Sequence, residues 1–217
     1  MDHRQADTGM ILLAIETSVP HASLSLWGDD RILFSTTWEA ERNHDSFLFP
    51  ALEQALGAIP AGKGLDYILV GSGPGSYGGV RVALAAGVGI AMVTGARLVA
   101  VESWAQLAEG QACVLADARR GGWTVRHPDG RIEVRSTEQV QALQQPLFST
   151  EAYGVPASHG IVGVQKENLI PTAEGLIRTW LGMTPGQRAE AAAKPAEPIY
   201  VRPPHITAAT RKPWEIA

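Results

Sequence analysis

The chain has 217 residues, of which 45% are hydrophobic and 18% charged, and its formal net charge is −4. This composition excludes a largely disordered protein. It also disfavours a protein that grips a phosphate backbone over its whole surface, because such binding needs clustered Lys and Arg. Cys113 is the only cysteine, so the chain has neither an internal disulfide nor a thiolate-rich metal site.

The first residues differ from the rest of the chain in their polarity. Residues 1–9 show no apolar period and are expected to be a disordered extension, which makes Met10 a candidate start. They lack the basic patch and long apolar stretch of a secretory signal, so the expected location is the cytoplasm.

Three strands are predicted after Met10. The run ILLAIET is almost continuously apolar, whereas ASLSLWG and RILFSTTW alternate apolar and polar residues with the period of a half-buried strand. The connections between them are short enough for hairpins. The fold should therefore open with three antiparallel strands.

A helix is predicted after residue 43. Leu48, Leu52 and Leu56 recur at every fourth position and define one apolar face. Pro50 falls near the first turns, where the missing N–H costs least.

A strand, a helix and a second strand come next. DYILVGS precedes a glycine-rich turn, a helix is predicted over 77–94, and RLVAVES follows, so the two strands should be parallel. The uncharged stretch 82–96 is shorter than the ~20 residues of a membrane span and is expected to be a buried helix. Ser103 is expected to cap a further helix, WAQLAEG.

The strand pattern restarts at CVLADA, which predicts an N-terminal lobe over 10–109 and a smaller C-terminal lobe over 110–217. WTVRH and RIEVRS should form a hairpin, and GIVGVQ another strand. A short helix is predicted over 172–181. Residues 182–198 are expected to be a loop or a poorly packed helix before a strand-like IYVR.

The turn GSGPGSYGG lies between a strand and a helix, where free N–H groups and the helix dipole can hold an anion. It is not a Walker loop, because no Gly-Lys-Ser/Thr follows. Gly73, Gly75 and Gly78 satisfy G-x-G-x-x-G and Glu102 ends the next strand, so a dinucleotide site is one alternative. The other is that the glycines only permit tight geometry.

Small residues recur at every fourth position of the helix behind this turn. They are Gly79, Ala83, Gly87, Ala91 and Gly95. Such a row lets another helix approach closely, which would compensate the ~1 kcal/mol that each Gly costs relative to Ala. Two interpretations stay open: packing against the chain's own preceding helix, or a docking surface for another protein. On the second, Leu at position 83 or 87 should block docking and leave the monomer folded.

Groups for catalysis are not apparent. The six histidines show no H-x-H, H-x-x-x-H or H-E-x-x-H spacing, so a metal site made by this chain alone is not expected. There is no G-x-S-x-G elbow, and Cys113 lies in an apolar strand.

Five blocks together resemble the TsaB (YeaZ) family in content and order. They are LLAIETS at 12–18, the helix after Asn43-His44, GPGSYGGVR at 73–81, ADAR at 116–119 and PIYVR at 198–202. The resemblance spans nearly the whole chain, and the third block is its most specific part. It implies an α/β fold of the actin-like ATPase type (ASKHA, RNase H-like), with two lobes of mixed sheet flanked by helices.

The resemblance also implies a function. It points to a non-catalytic scaffold or activator that dimerises with TsaD, the metal-bearing paralogue, and assembles with TsaE to form threonylcarbamoyladenosine at tRNA position 37. The tRNA would be reached through the complex, no membrane is involved, and a homodimer in the absence of the partner is open. The implied interface lies on the first-lobe helices, at Leu48, Leu52, Gly79, Ala83, Gly87 and Ala91.

Departures from the family pattern bear on nucleotide binding. Glu16 replaces the usual Asp, Gly78 the common Thr, and Asp45 the typical Ser. The loops nearest to a phosphate would contain Glu16, Thr17, Ser18, Gly73, Gly75, Ser76 and Asp117. No cofactor is expected on this chain alone, with ATP or ADP at the interface of the complex left open. The competing hypotheses are an active small-molecule kinase or ATPase of the same fold, and a dinucleotide-binding enzyme.

Overall fold

The computed structural model describes residues 9–39, 45–118, 121–151, 157 and 159–201, so residues 1–8 of the predicted extension over 1–9 lie outside it. Its strands are β1 (Leu12–Glu16), β2 (His21–Gly28), β3 (Arg31–Glu39), β4 (Tyr67–Gly71), β5 (Arg97–Val101), β6 (Cys113–Asp117), β7 (Gly122–Arg126), β8 (Ile132–Ser136), β9 (Leu147–Ser149) and β10 (Val164–Lys166). Its helices are α1 (Asp45–Gly57), α2 (Tyr77–Thr94), α3 (Thr137–Gln141), α4 (Ala173–Gly182) and α5 (Pro185–Ala193).

Two five-stranded mixed sheets form the two lobes, which confirms the predicted fold class. The first sheet has the order β3-β2-β1-β4-β5, and the second has the order β10-β9-β6-β7-β8. In the first sheet, β1 is antiparallel to β2 and β4 is parallel to β5, as predicted, and β1 also pairs with β4 in parallel, which was not predicted.

The first sheet is covered on both faces, which explains why β1 is buried at every position and apolar from Leu12 to Ile15. Leu13 and Ile15 pack on the side of α1 and α2. Leu12 and Ala14 pack on the opposite side, against α4. Because neighbouring residues of a strand point to opposite faces, one short strand contributes to two separate cores.

The C-terminal part of the chain returns to the first lobe, which corrects the predicted boundary of 110–217 for the second lobe. Helix α4 buries Leu176, Ile177 and Trp180 in the core formed with β1, β4 and β5. Its first backbone N–H, that of Ala173, donates to Ser23 Oγ at 2.8 Å. Periodicity predicts a helix here but not the sheet that it covers.

The second lobe is built around β6. The predicted hairpin is confirmed as β7 and β8, and β10 occupies part of the predicted GIVGVQ strand. Strand β9 and helix α3 were not predicted from the sequence, although Ser136 and Gln139 give α3 a complete capping box.

Two further predictions are wrong. Residues 103–107 form turns and not a helix, because the Ser103 hydroxyl accepts the N–H of Gly73 at 3.0 Å and does not cap the residues after it. Ile199 and Tyr200 do not form a strand. The N–H of Ile199 donates to Ser72 O at 2.8 Å, and this bond attaches the segment to the turn after β4.

Candidate functional site

The inner face of α2 carries the row of small residues for which two interpretations were open, packing within the chain and docking of another protein. Gly79, Ala83 and Gly87 are buried against the chain's own first sheet. A Cβ added to Gly87 would lie 2.7 Å from Leu98 Cδ1 and 2.8 Å from Val70 Cγ1. The row therefore packs against strands of its own lobe, and a groove open to another protein does not exist at these positions.

The α1 residues predicted for the interface are inside as well. Leu48 and Leu52 belong to the core between α1 and the sheet, and Leu48 is only 1% exposed. Of the six predicted interface residues, Ala91 is partly buried and the other five are buried. These assignments are corrected: the residues hold the first lobe together and cannot contact a partner directly.

The outer face of α2 is apolar and exposed. Met92 is 82% exposed and Val93 88%, and Val88 is about half exposed. Between them lies a second pair of small residues, Ala85 and Gly89, both exposed. A Cβ at Gly89 would meet nothing within 4 Å. The docking geometry that the sequence assigned to the inner row is therefore present on the opposite side of the helix.

Helix α1 adds two aromatic side chains on the same side of the sheet. Phe47 and Phe49 are exposed, Phe49 to 61%. We define the outer surface as Phe47, Phe49, Ala85, Val88, Gly89, Met92 and Val93. Exposed apolar side chains in such number typically mark a site of interaction.

By length and composition α2 could cross a membrane, but its inner row packs on the sheet, which makes it a helix of the fold. Only 22% of the 18-residue stretch is buried, so the prediction of a buried helix was wrong for its outer face.

The loop after β1 lies directly against the start of α2. Thr17 Oγ1 donates to the backbone oxygen of Gly79 at 2.7 Å, and the N–H of Ser76 donates to Ser18 O at 2.6 Å. A Cβ at Gly75 would lie 2.3 Å from Ser18 O, and one at Gly79 would lie 1.9 Å from Thr17 O. Gly75 and Gly79 are therefore required by the close approach of this loop, whereas a Cβ at Gly78 would meet nothing within 4 Å.

Glu16 is buried at the base of the loop. Its Oε1 accepts the N–H of Ser18 at 2.8 Å, whereas Oε2 has no hydrogen-bond partner among the described residues. A Cβ at position 71 would lie 2.2 Å from Oε2, so Gly71 makes room for the carboxyl group. Burial raises the pKa of Glu16 above its usual value, because water cannot solvate the charged form.

A cleft of about 1200 Å³ separates the two lobes. It brings together Ser18, Gly75 and Ser76 from the first lobe and Asp117 from the second, as the resemblance implied, while Gly73 lies deeper, against Val80. Its described lining also contains Glu39 and Glu151 but no Lys or Arg.

ATP, which the fold family implies, does not fit the described part of this cleft. Three carboxylate side chains line it, and like charge disfavours a phosphate group. The N-cap amide of α2, a natural anion donor, is already bonded to Ser18 O. The described residues also contain no group of three or more His, Cys, Asp or Glu that could hold a metal ion.

Three polar side chains form a connected series that was not predicted from the sequence. Cys113 Sγ lies 3.8 Å from His127 Nδ1, and His127 Nε2 lies 2.8 Å from Glu133 Oε1. The order thiol, imidazole, carboxylate resembles a catalytic triad. Cys113 is fully buried, however, and desolvation raises the pKa of its thiol, so no accessible thiolate is formed.

Comparisons with known proteins match most of the chain. The family model described as TsaD: tRNA N6-adenosine threonylcarbamoyltransferase matches residues 38–167. The tRNA threonylcarbamoyladenosine biosynthesis protein TsaB of Escherichia coli (strain K12) is 25% identical over 224 residues, covering 89% of this chain and 95% of the relative. TsaB of Bacillus subtilis (strain 168) is 31% identical over 119 residues, or 52% of each chain.

Solved structures agree with this assignment. YeaZ from Pseudomonas aeruginosa has a TM-score of 0.64 at 25% identity, covering 88% of this chain and 99% of its own. A second structure, of a P. aeruginosa protein with similarity to peptidase YEAZ, has a TM-score of 0.67 at 26% identity, covering 89% and 100%. The TsaD-type model spans more than half of the chain, and the chain therefore belongs to the TsaB (YeaZ) family of TsaD-like proteins.

Proposed function

We propose that this chain is the non-catalytic scaffold subunit of the machinery that forms threonylcarbamoyladenosine on tRNA, and that it docks TsaD through the outer surface. The relatives named TsaB are tRNA threonylcarbamoyladenosine biosynthesis proteins. Within that pathway, the exposed apolar face of α2 is the observation that supports a docking role for this chain.

The chemistry of the outer surface favours a helix as the docking element. Ala85 and Gly89 are one turn apart, so a partner helix can approach the α2 backbone closely between them. Val88 and Met92 border this gap and would be removed from water by the partner. Burying apolar area contributes about 25 cal/mol per Å², which makes these flanking side chains the main source of affinity.

We propose the following assembly around the outer surface. TsaD occupies it in the active complex, and a second copy of this chain occupies it when TsaD is absent. TsaE and the tRNA join through the complex, in the cytoplasm. This chain alone binds no cofactor, and any ATP or ADP belongs to the interface of the complex. The catalytic groups are proposed to come from TsaD, since the thiol of Cys113 is sealed in the core.

Binding of cognate TsaD to charged variants tests the proposal. Val88→Asp and Met92→Asp each place a carboxylate in the proposed contact, and we expect affinity to fall by at least about 30-fold, as for a hot-spot residue. Val162→Asp is the matched control, because Val162 is 64% exposed but lies beside the second sheet. Titration calorimetry at equal protein concentrations measures all three.

Two outcomes would contradict the proposal. One is native affinity for TsaD in both α2 variants. The other is formation of threonylcarbamoyladenosine by the purified chain without TsaD, which would require catalytic groups on the chain itself. Reconstitution with TsaD, TsaE and tRNA, omitting one protein at a time, separates these two results.

A further inference from the structure

The loop over residues 16–18 occupies the place where this fold offers an anion site, at the end of a strand and the N-terminus of a long helix. Here the chain's own backbone fills that place. Ser18 O accepts the N-cap amide of Ser76, and Thr17 O lies where a side chain on Gly79 would be. A phosphate group at the Ser76 amide would have to displace the Ser18 carbonyl group.

We propose that the Glu16–Ser18 loop is a clamp that fixes the first turn of α2 and so positions the outer surface for docking, and that it is not a phosphate site. The docking part of this inference rests on the proposed function. The clamp itself rests only on contacts within this chain.

The contacts of the clamp come from three different groups. The Thr17 hydroxyl bonds to the Gly79 carbonyl in the first turn of α2, and the Ser18 carbonyl bonds to the Ser76 amide one residue before the helix. The Glu16 carboxyl group bonds to the Ser18 amide and thereby shapes the loop from below. The contacts of Thr17 and Glu16 are buried, so water does not replace them readily.

The same end of α2 is held from the outside by the C-terminal segment. Tyr200 stacks on Tyr77 with ring centroids 5.2 Å apart, and the Arg81 guanidinium lies 5.1 Å from the Tyr77 ring. The far end of α2 has contacts of its own: Gly95 caps it in a left-handed conformation, Thr94 Oγ1 donates to Ile90 O at 2.8 Å, and the N–H of Ala96 donates to Thr94 Oγ1 at 3.2 Å. Loss of the clamp should therefore loosen the N-terminal end of α2 and spare the C-terminal end.

The test uses one isosteric change and its rescue. Thr17→Val removes the hydroxyl at constant shape, and Thr17→Ser restores it. Thr150→Val is the control, since the Thr150 hydroxyl also bonds to a backbone oxygen, that of Leu115, but in the second lobe. Hydrogen exchange is followed at the amides of Gly79 and Val80, with the Gly95 amide as the reference at the other end of α2.

We expect Thr17→Val to speed exchange at Gly79 and Val80 by about tenfold, which corresponds to one hydrogen bond to a buried group. Exchange at Gly95 should not change. Affinity for TsaD should fall about threefold to tenfold, and Thr17→Ser should restore both values. Unchanged exchange at Gly79 and Val80 in Thr17→Val would overturn the clamp.

ATP with Mg²⁺ at about 1 mM is the probe for the alternative. A phosphate site in the loop would raise the melting temperature of the native chain by mass action, and Thr17→Val would reduce the shift. We expect no shift, and a shift that depends on Thr17 would overturn the inference. Should the native chain fail to bind TsaD, the proposed function fails, while the exchange result still decides whether the clamp exists.

Discussion

The two faces of α2 carry similar residues and have opposite surroundings. Gly79, Ala83 and Gly87 meet the strands of the chain's own sheet, whereas Ala85 and Gly89 meet solvent. On the inner face, small residues are needed because the sheet leaves no room for a Cβ at Gly87. On the outer face, no described residue limits the space at Gly89. This difference between the two faces supports the proposed docking role of the outer face.

The largest expected effect is on the inner face. Gly87→Leu should destabilise the fold by about 3 kcal/mol or more, because the side chain would overlap Leu98 and Val70. Urea denaturation measures this change. The earlier expectation that Leu at position 87 blocks docking in a folded monomer is replaced by this one, and a variant with native stability would contradict the inward orientation.

The same substitution on the outer face should have the opposite result. Gly89→Leu meets open space and improves helix propensity, so the free energy of unfolding should stay constant or rise by up to ~1 kcal/mol. Affinity for TsaD should fall at least about tenfold, since the gap beside Ala85 would be filled. Denaturation and binding are measured for both leucine variants. Equal results for Gly87→Leu and Gly89→Leu would contradict the difference between the two faces of α2.

A smaller effect is expected at the base of the loop that supports α2. The raised pKa of Glu16 means that the folded chain keeps a proton that the unfolded chain loses above about pH 4.5. Native stability therefore decreases as pH rises through the folded pKa. Glu16→Gln carries no charge at any pH, so its stability advantage over the native chain should be absent near pH 4 and grow as the pH rises towards 8.

Denaturation curves across that pH range check the prediction. Glu138→Gln is the control, because Glu138 is exposed on α3 and its pKa is lowered by the Ser136 hydroxyl. An advantage of Glu16→Gln that did not depend on pH would show that the carboxyl group is not the cause.

The smallest expected effect concerns Ser76, the N-cap of α2. Ser76 Oγ accepts the N–H of Gly79, and Ser76→Ala should lower stability by about 1 kcal/mol. Ser136→Ala removes the corresponding cap of α3 in the second lobe at a similar cost. Only Ser76→Ala should weaken TsaD binding as well, by about threefold. Equal affinity of the two variants for TsaD would show that the cap of α2 does not contribute to docking.

Periodicity and spacing predicted the first lobe well. The strands β1 to β3, the parallel pair β4 and β5, and the helices α1 and α2 were confirmed, because each has a local pattern and a short connection. The resemblance supplied the fold class. The glycine-rich turn was located correctly between β4 and α2, because clustered glycines are a strong sequence signal for a turn.

The orientation of α2 could not be predicted in the same way. A four-residue period gives rows of small residues but does not say which row faces the sheet, and Ala85 with Gly89 form a row as regular as Ala83 with Gly87. The contact of Thr17 with Gly79 joins residues 62 positions apart, and no local signal announces it. The helix predicted after Ser103 was wrong for a related reason, as the hydroxyl is engaged by Gly73.

The return of α4 to the first sheet has a consequence for how the chain acquires its structure. Leu12, Ala14 and Leu69 remain uncovered until Trp180 and its neighbours have been synthesised. A ribosome must therefore produce the whole second lobe before the first can close, and this long-range dependence slows folding. A fragment ending near residue 110 would leave one side of its sheet exposed and prone to aggregation, so the first lobe without α4 is not an independent folding unit.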